Sequence, residues 1–192
     1  MTVPLSVRSA VLALLLLLMV ATRFSHAGGA GVLPDASWAV FFLGGFYVAR
    51  AWRWAFATLL IAAVGVDYLA IHYYGISNYC ATLAYWFIVP GYSVLWLGGA
   101  WLRTHYRQRP LDLARLAASL ALSVTLCFLI THSAFYWLGG RVAYPTITEW
   151  WSVFIRWYGL FLGVTCAYVG LATVVHVALT RRSHSAAVLA TR

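Results

Sequence analysis

The chain has 192 residues, 64% of them apolar, with 13 Lys or Arg against 4 Asp or Glu, a formal charge of +9 and a mean hydropathy of +0.84. That balance excludes a soluble domain. A membrane helix needs about 20 apolar residues, so the apolar share fills roughly six spans and leaves too little outside for a catalytic domain with its own core. All 13 cations are arginine, which excludes a lysine-based phosphate loop and a lysine Schiff base. Any ATP-driven work would need a separate ATPase chain. The arginines are scattered between apolar runs rather than gathered on one stripe, so no nucleic-acid partner is expected.

Apolar runs at about 5–22, 36–54, 55–72, 80–101, 113–138 and 149–179 predict six transmembrane helices, because an open strand cannot satisfy its backbone in lipid. The expected fold is an all-α integral membrane protein, a single transmembrane domain over 1–192, with both termini cytoplasmic. Arg8, Arg50, Arg53, Arg103, Arg107, Arg109, Arg115, Arg181, Arg182 and Arg192 then lie inside, and Arg23, Arg141 and Arg156 outside, as the positive-inside rule asks. The first run reads as a retained span, with Ser9 and Ala13 as a small-residue pair suited to close helix contact. A signal peptide is the alternative, since Arg8 precedes the run and Ser25-His26-Ala27 offers small residues for cleavage.

Between the runs, the glycine-rich stretch 23–36 reads as an outer flap, and the basic loop 102–112 as a solvated or headgroup-facing inner one. The turn at 73–79 offers Ser77 and Asn78 as a cap for the fourth helix. That cap would place Cys80 in the helix's first turn, where the backbone N–H groups and the dipole favour a thiolate. Cys127 and Cys166 fall mid-helix and read as small hydrophobes.

Ionisable groups inside apolar runs are costly and are default functional candidates. Asp67, Tyr85 and Arg156 are expected about 7 to 10 Å below the outer surface, in one layer beneath Cys80. An Asp67–Arg156 ion pair there serves either helix packing or a ligand. Pro90-Gly91 is expected to interrupt the fourth helix further down. Together these residues predict an outward-facing pocket for a large, partly aromatic, amide- or hydroxyl-bearing ligand with a soft metal centre for the thiolate.

The stretch GVDYLAIHYYGISNYCATLAYWFIVPGYSVLWLGG, with TRFSHAG and PDASWAVFFLGGFY upstream, resembles the BtuM family of vitamin B12 transporters. These are solitary relatives of the substrate-binding S-components of energy-coupling factor (ECF) transporters. The resemblance covers nearly the whole chain. It implies a six-helix S-component-like bundle in the bacterial inner membrane that binds cobalamin from the outer side. The family's cobalt-liganding cysteine falls on Cys80, and its polar pocket residues on Asp67, Tyr85 and Arg156. A thiolate is a soft donor able to replace the cofactor's own benzimidazole, so Cys80 is expected to hold cobalamin base-off and to promote loss of an upper ligand such as cyanide. Cobinamide, which lacks that base, is a second expected ligand. In the related S-components transport relies on a coupling module, a membrane subunit with its ATPases; for this chain the resemblance leaves two expectations, such a module docking on the first helix near Ser9 and Ala13, or passage of substrate without one.

A competing class is a b-type haem protein for electron transfer, with His72 and His132 near the same ends of helices three and five. A third is a purely structural membrane subunit.

Overall fold

The computed structural model describes residues 5–27, 33–49, 54–75 and 81–190, with backbone alone at 5–6, 24–27 and 182–190. The described residues form α1 (Leu5–Ala27), α2 (Ser37–Tyr47), α3 (Ala55–Tyr73), a 3-10 turn (Leu83–Phe87) running into α4 (Ile88–His105), α5 (Leu111–Leu138) and α6 (Ile147–Ala190), and no strand. Four helical segments are long and apolar enough to cross a membrane: Ala55–Tyr73, Leu83–His105, Leu111–Leu138 and Ile147–Arg181. The described residues are all-α, and these four segments mark a membrane-embedded protein.

Two helix boundaries depart from the expectation. The second run does not form one helix over 36–54. It gives an 11-residue helix that stops at Tyr47, with Val48 in the following turn. At 1.5 Å per residue this is about 16 Å, half of a ~30 Å hydrocarbon core. Hydropathy cannot separate a span from a short helix wrapped by its neighbours, and α2 is the latter: every residue from Ser37 to Phe46 is buried. The first helix, in turn, continues beyond residue 22 to Ala27 and carries Arg23 inside it.

α2 is the core about which the others gather. It packs against α4 above all, and also against α1, α3 and α6, while α5 lies against α4, α6 and the 3-10 turn. Apolar surface gains little by leaving lipid for protein, so close packing and hydrogen bonds have to hold such a bundle. Glycines supply the closeness. A Cβ on Gly45 would fall 2.0 Å from the Trp96 carbonyl oxygen, and one on Gly99 1.9 Å from that of Phe42, so α2 and α4 cross backbone to backbone. On the other side of α4, a Cβ on Gly98 would meet Ser123 Oγ of α5 at 1.9 Å, and Ser119 Oγ donates to the Gly98 carbonyl at 3.0 Å. Aromatic rings fill what remains: Phe41 stacks on Tyr92 at 4.2 Å, and Trp38 packs on Phe161 at 4.8 Å.

Gly45→Val or Gly99→Val should therefore lower unfolding stability in detergent by about 3 kcal/mol, since the clash is with backbone that cannot rotate away. Gly163→Ala on α6, whose Cβ would meet nothing within 4 Å, should leave it unchanged. Thermal melts of the three variants provide the check, and equal melts would contradict the close crossing.

Candidate functional site

On α1 the buried positions Leu12, Leu15, Met19, Thr22 and Arg23 follow helical spacing. The apolar face thus delivers a guanidinium, 8% exposed, into the bundle at the end where α1 and α3 finish and α4 begins. Arg23 meets Asp67 of α3 side-on, Nε donating to Oδ1 at 2.6 Å and Nη2 to Oδ2 at 2.5 Å. Its Nη1 donates to Ser37 Oγ and to Tyr92 Oη, each at 2.9 Å, and lies 3.5 Å from Asp35 Oδ2. The planar fork of arginine fits a carboxylate through two parallel bonds, and one residue here ties α1 to α2, α3 and α4.

The start of α2 is built into the same network. Asp35 Oδ1 accepts from the Ser37 N–H at 2.9 Å and from Ser37 Oγ at 2.6 Å, an Asx turn that covers one of the helix's unpaired donors. Thr22 Oγ1 of α1 accepts from the Ala36 N–H at 3.0 Å. One guanidinium between two carboxylates leaves the group with a formal charge of −1. The carboxylates are its open side, with side chains 27% exposed at Asp35 and 24% at Asp67, against 10% for Arg23.

Of the site residues expected from sequence, Asp67 and Tyr85 do come together. Tyr85 Oη donates to Asp67 Oδ2 at 2.7 Å, although Tyr85 sits in the 3-10 turn rather than a turn deep in an α-helix. Arg156 does not join them. It is exposed on α6, and Asp67 takes its ion pair from Arg23 instead, because α3 packs on α1 and α2 while α6 packs on α5 and α2.

Cys80, with the Ser77 and Asn78 expected to cap its helix, lies outside the described residues. The helical segment after it begins at Leu83, and Thr82 is extended (φ −120°, ψ 175°), so the first turn belongs to Leu83–Tyr85. Pro90 is the third residue of α4, just after the 3-10 turn gives way to α-helix, and from there α4 runs unbroken to His105. Cys127 is buried and Cys166 exposed.

The two histidines weighed for haem engage near neighbours. His72 Nδ1 lies 3.0 Å from the Tyr68 carbonyl oxygen and its ring stacks on Tyr68 at 4.0 Å. His132 Nε2 lies 3.4 Å from the Trp150 carbonyl oxygen, and its ring stacks on Phe128 at 5.1 Å. Among the described residues, no three His, Cys, Asp or Glu side chains converge to hold a metal ion. Two apolar grooves run along α6, one of about 510 Å³ between Leu33, Pro34, Gly163 and Tyr168 and one of about 490 Å³ between Thr173, Val177 and Arg181. Neither touches the Arg23 network.

Sequence reasoning missed Arg23, Asp35, Ser37 and Tyr92. The signal for Arg23 was present: continuing the first helix by one turn places a lone cation in an apolar helix, and such a residue calls for an internal anion. No family model matches the chain, and no curated protein matches it significantly.

Arg23→Met should cost about 3 kcal/mol, since it strands a partly buried carboxylate. Adding Asp67→Leu should recover most of that loss, whereas Arg156→Gln should shift stability by no more than about 0.5 kcal/mol. Denaturation of the three variants in detergent tests this, and a double variant weaker than Arg23→Met alone would contradict the pairing.

Proposed function

We propose that this protein binds cobalamin and takes it up across the bacterial inner membrane, as a six-helix bundle with cytoplasmic termini. Two things support the reading: the sequence resemblance around Cys80, and the Tyr85–Asp67 hydrogen bond with its partly open carboxylates at the end of the bundle where the Cys80 segment joins α3 to α4. The second carries the reading, because it is an observation independent of the resemblance. Tyr85, which stands five residues along the chain from a thiol, holds the Asp67 carboxylate, and a corrin offers both a soft-ligand metal and a rim of amides.

In this reading Cys80, as thiolate, ligates the cobalt of the substrate from below in place of benzimidazole. Asp67 and Tyr85 hold the corrin rim, a charge-assisted bond from an amide N–H to the Asp67 carboxylate contributing about 1.5 to 3 kcal/mol. Arg156 would reach the ligand only from its exposed position on α6. Electron donation by sulfur to Co(III) loosens the opposite axial bond, so cyanide leaves as the anion with both bonding electrons and cobalt stays Co(III). This is a side reaction of a binding protein rather than its main task. Delivery to the cytoplasm proceeds either unaided or with an ECF-type coupling module docked on the face of α1 where Ser9 and Ala13 are exposed; growth on B12 that survives deletion of the module would select the first.

Purified protein titrated with cyanocobalamin should show a base-off corrinoid spectrum, and Cys80→Ala should bind with the base-on spectrum and slower cyanide loss. Tyr85→Phe should weaken binding roughly tenfold, because the Asp67 carboxylate loses the hydroxyl that orients it. Identical spectra and rates for Cys80→Ala and the unaltered protein would overturn the ligand assignment. A Soret band in the purified protein, lost in His72→Ala, would turn the reading to haem.

A further inference from the structure

The Arg23 network turns its donors inward and its acceptors outward. Of the five guanidinium N–H groups, Nε and one on Nη2 go to Asp67, and the two on Nη1 go to Ser37 and Tyr92. The Ser37 hydroxyl donates to Asp35 and the Tyr85 hydroxyl to Asp67. A carboxylate accepts about four hydrogen bonds. Asp67 Oδ2 takes two and Oδ1 one, while Asp35 Oδ1 takes two and Asp35 Oδ2 has only the 3.5 Å approach of Arg23. One Nη2 N–H and the Tyr92 hydroxyl proton stay with Arg23 and Tyr92, both buried, so the unused capacity that faces outward is acceptor lone pairs, on the two side chains of the group that are about a quarter exposed. The formal charge of −1 on the network works in the same direction, against an approaching anion.

We infer that Asp35 and Asp67, clamped by Arg23, form a specificity filter that accepts ligand groups rich in N–H donors, primary amides above all, and rejects carboxylates at the same positions. This deepens the cobalamin reading and rests on it: the filter selects corrinoids whose side chains are amidated over those whose side chains are free acids. Arg23 is a positioning residue here. Without it the two like charges would separate or take up a proton, and the acceptor pair would be lost.

The test is a calorimetric titration of the full chain in detergent with two probes, cobinamide, whose side chains are amides, and cobyrinic acid, whose side chains are carboxylic acids. Cobyrinic acid should bind roughly tenfold more weakly or worse, the effect of one like charge at about 7 Å in a partly screened site. In Asp35→Asn, which keeps the acceptor for the Ser37 N–H but neutralises the group, the ratio of the two affinities should contract about tenfold. Equal affinities in the unaltered protein, with cobinamide bound, overturn the filter and leave the cobalamin reading standing. Binding of neither probe overturns both. An unchanged ratio in Asp35→Asn removes Asp35 from the filter.

Discussion

A guanidinium inside a membrane bundle has to be matched by anions and acceptors, and meeting that demand organises one whole end of this protein. Arg23 draws Asp67 of α3, Ser37 at the head of α2 and Tyr92 of α4 to a single point. Its planar fork fixes orientation as well as proximity. The start of α2, which would otherwise expose N–H groups, is covered by Asp35 and Thr22 from the same neighbourhood. Polar satisfaction and helix placement are therefore one problem here with one solution.

The rest of the bundle relies on closeness. α2 is too short to cross a bilayer and buried along its length, so it behaves as a central pin rather than as a span. Gly45 and Gly99 let its backbone touch that of α4, and the two serines of α5 press on α4 from behind. The polar end sits on this rigid crossing, because Tyr92, a hydrogen-bond partner of Arg23, also stacks on Phe41 of the pin. A carboxylate pair carried by helices so closely packed keeps its spacing, which a binding filter needs.

Most of the helices were legible from apolar runs, since lipid leaves a backbone few choices. What was not legible was which runs are spans. The second run has the composition of a crossing helix and half its length, and only its neighbours reveal the difference. The site was half legible. Asp67 and Tyr85 stood out as polar groups in apolar runs and do meet. Their cationic partner was assigned to Arg156 because the first helix was ended at residue 22, before Arg23. Depth along a helix can be counted from sequence, but which helices are adjacent cannot, and Asp67 had two candidate arginines at similar depth.

The Arg23–Asp67 pairing also bears on how the chain enters its bilayer. The partners stand 44 residues apart in sequence, on α1 and α3, so a ribosome delivers the cation well before the anion. Until α3 arrives, the late turns of α1 carry a charge that only the looser approach of Asp35 can offset, and that end of the helix is expected to stay near the headgroups or within the insertion machinery. Release of the first helix into lipid then waits on the third. The pair acts as an assembly checkpoint: a nascent chain cut between residues 23 and 67 would hold its first helix far less firmly than the finished protein does.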